Sequence, residues 1–188
     1  MYRSTVNAVF NSTMANMELK LHFEKSDFTE IDELVLLSDQ MDALSAEEIS
    51  QIGDEIFMFQ PFMLSNMVGF HLDVSKPVHS EIIKLYFLLW KYYKKKDAVS
   101  VKITLEQFEK VNDRDIAILK QLSNQHGTPQ FMETLIGDMQ KTRSKSLLSI
   151  FYFRFETRPV LKDCNNELKI IILNGLKSFI TCFDEHIH

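Results

Sequence analysis

Residues 23–40, FEKSDFTEIDELVLLSDQ, return 85 residues later as 108–125, FEKVNDRDIAILKQLSNQ. Eight of the eighteen positions are identical, including Phe23/Phe108, Ile31/Ile116, Leu34/Leu119 and Leu37/Leu122. Average amino-acid usage would give roughly one identity in such a window. A repeat of this period constrains the fold strongly, because one such unit cannot bury its apolar face alone and two copies must stack.

Further echoes follow in the same order. Ile52-Gly53-Asp54 returns as Ile136-Gly137-Asp138, Leu64-Ser65 as Leu148-Ser149, and Lys76-Pro77-Val78 as Arg158-Pro159-Val160. The expected organisation is a flexible tail over 1–16, a first unit over 17–98 and a second over 99–188, sharing one core. With 188 residues, one compact domain is the default. Five glycines and four prolines are few for a turn-rich β architecture, so the fold class expected is mainly α. The alternative is α+β, with a small sheet drawn from the alternating stretches 17–24, 67–74, 99–105 and 150–157.

Local signals place the helices. Ser45 and Glu48 form a capping box, as do Thr104 and Gln107. Asp27, with Glu30 three residues on, is a candidate N-cap, and Asn112 and Asp115 hold the same places in the second copy. Pro61 predicts a break after Phe59 and a restart, while Thr128-Pro129 predicts a start in copy two. The stripe Ile49, Ile52, Ile56, Phe59, Met63, Met67 and Phe70 reads as a core face. Its copy-two counterpart is Met132, Leu135, Met139, Leu147 and Ile150. Helices opening at Pro77 and near Asn165 or Asn166 are apolar almost all round and are expected at the centre, with Trp90 buried there. Gly53 and Gly137, inside helices, are expected to let another helix approach closely.

Chemistry-bearing motifs are scarce. HExxH, GxSxG and glycine-rich phosphate loops do not occur. His71, Asp73 and His79 come near one another, but Pro77 interrupts their spacing and Arg154 replaces His71 in copy two; no metal site or cofactor is expected. Cys164 and Cys182 lack CxxC spacing and are expected to stay reduced, in keeping with a cytoplasmic protein. No run of about eighteen uninterrupted apolar residues occurs, so no membrane span is expected.

The reading is therefore of a non-enzymatic module that holds another protein or a second copy of itself. The candidate surface is Phe57, Phe59, Pro61 and Phe62, because FMFQPFM in copy one faces the polar KTRSKSL in copy two. A second contribution comes from the acidic first third: residues 18–55 hold twelve acids against Lys20 and Lys25, a net of −10, within a chain of net −5. An enzyme or small-ligand binder with a pocket between the two units is the alternative. Nucleic-acid contact through Lys94, Lys95, Lys96, Lys141, Arg143 and Lys145 is weaker still, since the net charge opposes it.

Overall fold

The structure, a computed structural model, describes residues 23–123, 137 and 140–187. The helices are α1 (Lys25–Asp42), α2 (Ala46–Phe59), α3 (Pro61–Gly69), α4 (Lys76–Lys95), α5 (Leu105–Ser123), α6 (Lys145–Thr157), α7 (Pro159–Lys162) and α8 (Asn166–Asp184). A 3-10 turn, Phe70–Leu72, follows α3. Among the described residues there is no strand, so the α+β alternative is set aside. Residues 67–72 run from α3 into the 3-10 turn, and 150–157 lie in α6. Their alternation coincides with a helical face: Leu147, Phe151 and Phe155, four apart, are all buried. The tail over 1–16, residues 17–22 of the first suggested strand, the Thr128 cap, and Met132, Leu135 and Met139 lie outside the described residues.

Caps explain most of the boundaries. The Ser45 hydroxyl accepts from Glu48 N–H at 3.2 Å and the Glu48 carboxylate accepts from Ser45 N–H at 2.7 Å. Thr104 and Gln107 repeat the arrangement at 3.2 and 2.9 Å. The Asn165 side chain accepts from Leu168 N–H at 2.8 Å. Each satisfies donors that a helix start leaves free. Helix α1 starts earlier than its sequence suggests: Glu24 is the N-cap and Asp27 returns to accept from Glu24 N–H at 2.7 Å. Asn112 and Asp115 are not caps either, because α5 already begins at Leu105. Its apolar face opens with Phe108 and Val111, both buried, one turn before the supposed cap. Helix α4 ends with Asp97 in the left-handed region, φ 55°, where the Ala98 N–H reaches back to Tyr93 O at 3.0 Å.

Helix α4 runs through the middle. Ile82, Leu85, Tyr86, Leu88, Leu89 and Trp90 are all fully buried along it. It packs on α1, α3, α7 and α8, while α5 lies along α8 and α1 along α6. The α4–α8 crossing is aromatic: Tyr93 stacks on Phe183 with centroids 4.6 Å apart, and Tyr86 meets Phe179 edge-on at 5.9 Å. One continuous core of buried side chains extends from Ile31 to Phe183. No helix among the described residues is long and apolar enough to cross a membrane.

Candidate functional site

Helix α2 is held on one narrow face. Ile52 and Ile56 are buried, and Phe59 leans on Trp90 with ring centroids 6.1 Å apart. Gly53 and Glu55 are half-buried, and the remaining positions of the helix face outward. Phe57 is 66 % exposed and the adjacent Met58 is 67 % exposed, while Phe59 retains 42 %. Ile49, assigned to the core stripe by its spacing, is exposed as well. The stripe spans a wider arc than the single neighbouring surface can cover, so its first residue and part of Phe59 remain outside.

The four residues singled out in FMFQPFM separate accordingly. Phe57, Phe59 and Pro61 are exposed. Phe62 is half-buried and packs edge-on to Phe108, at 5.2 Å, and against Phe179, at 5.7 Å. Between them Gln60 is wholly buried. Its amide donates to Val99 O at 3.0 Å and to Val101 O at 2.7 Å, and its carbonyl accepts from Ile103 N–H at 2.9 Å. The 99–103 connector is thereby fixed beside the α2–α3 corner without a sheet, and brings the exposed Val101 with it.

Among the described residues, a Cβ built at Gly53 meets nothing within 4 Å, and the same is true at Gly137. The expectation that these glycines admit another helix of the chain is therefore corrected. Ile52 and Ile56 make the α2 contact and Gly53 lies off to its side. Gly53→Ala is expected to raise stability by about 0.5–1 kcal/mol, measured by urea unfolding, because an interior helix glycine carries an entropic cost that nothing here offsets.

The basic residues do not form one free surface. Lys94 pairs with Glu55 at 2.8 Å, Lys95 with Glu33 at 2.7 Å, and Lys96 with Glu30 at 2.7 Å. Lys145 pairs with Asp27 at 2.9 Å. Lys141 has no acid at ion-pair distance among the described residues, and Arg143 donates to Ile187 O at 2.6 Å. Much of the acidic first third is thus neutralised from within the fold. Burial raises the pKa of Glu30, but hydrogen bonds from Lys96 and Tyr92 more than reverse that and leave it below the ordinary value.

A second acid cluster surrounds Arg154, which is 2 % exposed. Its guanidinium donates to Ser38 Oγ at 2.7 Å, to Asp42 at 2.9 Å and to Glu81 at 2.9 Å. Lys84 bridges the same two carboxylates at 3.2 and 2.6 Å, and Arg158 also pairs with Asp42. Burial alone would raise Asp42; Arg154, then Lys84 and Arg158, hold it below its usual range. In the sequence Arg154 stands out only as the residue aligned with His71.

Among the described residues two grooves open at the surface. A groove of about 530 Å3 is lined by Glu30, Leu34, Leu37, Tyr92 and Lys96, and one of about 400 Å3 by Arg114, Lys141, Arg143 and Lys177. Each belongs to one half of the chain. Where residues 35–39 meet 150–158, the arginine cluster leaves only about 40 Å3. His71 and His79 have ring centroids 5.2 Å apart, and among the described residues no three His, Cys, Asp or Glu side chains converge. Cys164 and Cys182 are both free thiols. Ser144, which is buried, sits 2.5 Å from Asp184 and 3.1 Å from the Tyr92 hydroxyl, a network that joins α4 to α8. No protein-family model, curated protein or solved structure matches this chain.

Proposed function

We propose that this protein is a non-catalytic helical module that holds a protein partner on the outward face of α2. One observation carries the reading: Phe57 and Met58, adjacent on a capped helix, leave about two-thirds of their surface open, 66 % and 67 %. Large apolar side chains gathered on an otherwise folded surface commonly mark a contact site. The polar counterpart KTRSKSL, with Lys141 and Arg143 exposed, supports a surface that serves only the first half.

The same reading takes the chain as two tandem units. It is supported by the shared order of the described parts: a helix, a buried polar residue (Gln60 or Ser144), a further helix, a short helical turn with a proline nearby, and a long closing helix. Gln60 and Ser144 stand 84 residues apart, the offset found in the sequence.

A photo-crosslinking residue at position 58, expressed in the source organism, tests the function. It is expected to give a discrete adduct that disappears in Phe57→Ser, while a probe at the exposed Lys110 gives none. Absence of a Phe57-dependent adduct counts against the reading. Phe57→Ser with Met58→Ser is expected to change stability by no more than about 0.5 kcal/mol, since surface substitutions away from caps and packed contacts do little. A large fall in melting temperature would place these residues in the core instead.

A further inference from the structure

We infer that the partner on α2 is a basic amphipathic helix, laid along Ile49, Gly53 and Phe57 with its closest approach at Gly53. This rests on the interaction reading above and specifies its occupant.

Three observations converge. First, Ile49, Gly53 and Phe57 follow at intervals of four, so they share one face of α2. Ile49 and Phe57 are exposed, Gly53 is half-buried, and a Cβ placed on it would meet no described atom within 4 Å. Two apolar side chains therefore flank a notch, about 12 Å from end to end at 1.5 Å per residue. That length matches two turns of a second helix, which engages a groove through anchors three, four and seven residues apart. Second, glycine is the poorest helix former after proline, and no described neighbour uses the room it provides here.

Third, the rim is acidic. Glu47 and Asp54, seven residues apart, form the strip beside the notch and are exposed. Among the described residues neither has a cationic partner, unlike Glu30, Glu33, Asp42 and Glu55. Glu48 is already committed to the Ser45 cap. No Lys or Arg lies anywhere in α2. A partner that fills the apolar notch must therefore meet uncompensated carboxylates, which Lys or Arg beside its own apolar stripe would complement. A second copy using the same face is disfavoured on the same ground: a two-fold axis at Gly53 sets Asp54 against Asp54.

The test uses two synthetic helices of about eighteen residues, long enough to be helical in isolation. One is built of leucine and lysine, the other of leucine and glutamate, each labelled for fluorescence anisotropy against the full chain. The leucine–lysine helix is expected to bind saturably and more weakly as salt rises; the leucine–glutamate helix is not expected to bind. Gly53→Leu, which fills the notch, and Asp54→Lys, which reverses the rim, are each expected to weaken binding about tenfold or more. Neither should lower the melting temperature. Unchanged affinity in both variants, or equal binding of both helices, overturns the inference. So does self-association in sedimentation that Phe57→Ser abolishes, which identifies the occupant as a second copy. A Phe57-dependent crosslink from position 58 combined with any of these results leaves the interaction reading standing and removes only the basic helix.

Discussion

Arg154→Ala is expected to destabilise the fold by about 3–5 kcal/mol, the cost of removing one partner from a buried ion pair. From its place on α6 the guanidinium joins Ser38 and Asp42 on α1 to Glu81 on α4. Without it, two partly buried carboxylates stand side by side and the Ser38 hydroxyl and carbonyl lose a donor. Lys84 and Arg158 remain beside Asp42, so the lower end of the range is the expected result. Arg154→Lys should recover little, because one ammonium cannot span three acceptors held at 2.7–2.9 Å by a planar fork. Replacing Arg154 and Glu81 together with leucine should cost less than the sum of the single changes, since apolar substitution of both partners removes the stranded charge.

The pH dependence follows from the direction of the Asp42 shift. Its folded pKa is lowered, so the stability it contributes is present above the unfolded value, about 3.9, and is lost as pH falls through the lower folded value. Arg154 is a main cause of that shift. The gap in stability between the native chain and Arg154→Ala should therefore narrow on acidification below about pH 4. Urea unfolding at neutral and acid pH reads this directly, and a gap that stays constant would contradict it.

The difference between what was legible in the sequence and what was not follows interaction range. Ser45 with Glu48, Thr104 with Gln107, the break at Pro61 and the cap at Asn165 each depend on residues within one turn, and each is found. The start of α1 was misplaced because Glu24 is an uncommon cap residue, although the Glu24–Asp27 reciprocal pair uses the same chemistry. Arg154 could not be read. Within FYFRFE it resembles a surface interruption of an aromatic run, and its partners lie 73 to 116 residues away. The pairing of Glu30, Glu33 and Glu55 could not be read for the same reason: their lysines come from the end of α4, 39 to 66 residues downstream. For the α2 face the signal was present but divided. Ile49 was assigned to the core by its three-and-four spacing, and Gly53 by analogy to a helix crossing. Only the position of Ile52 and Ile56 on the contact side shows that Ile49, Gly53 and Phe57 share a different one.

Trp90→Ala is expected to cost a similar amount, about 3–5 kcal/mol, through a different mechanism. The side chain is 0 % exposed, and the cavity left by an indole in the middle of α4 cannot collapse because the neighbouring positions Tyr86, Leu89 and Tyr93 are already fully packed. The loss also reaches α2. Phe59 rests on the indole and Glu55 accepts from its Nε1–H at 3.0 Å, so the contact that orients the Phe57–Met58 face is removed. Trp90→Phe separates the two parts: it keeps most of the apolar contact and removes the hydrogen bond, with an expected cost nearer 1–2 kcal/mol at a charge-accepting site. The native chain should emit at short wavelength and resist iodide quenching until unfolded. A red-shifted, readily quenched native spectrum would show that the indole is not enclosed. If Trp90→Phe retains partner binding while Trp90→Ala loses it below the melting transition, the packing of α4 against α2 positions the docking face.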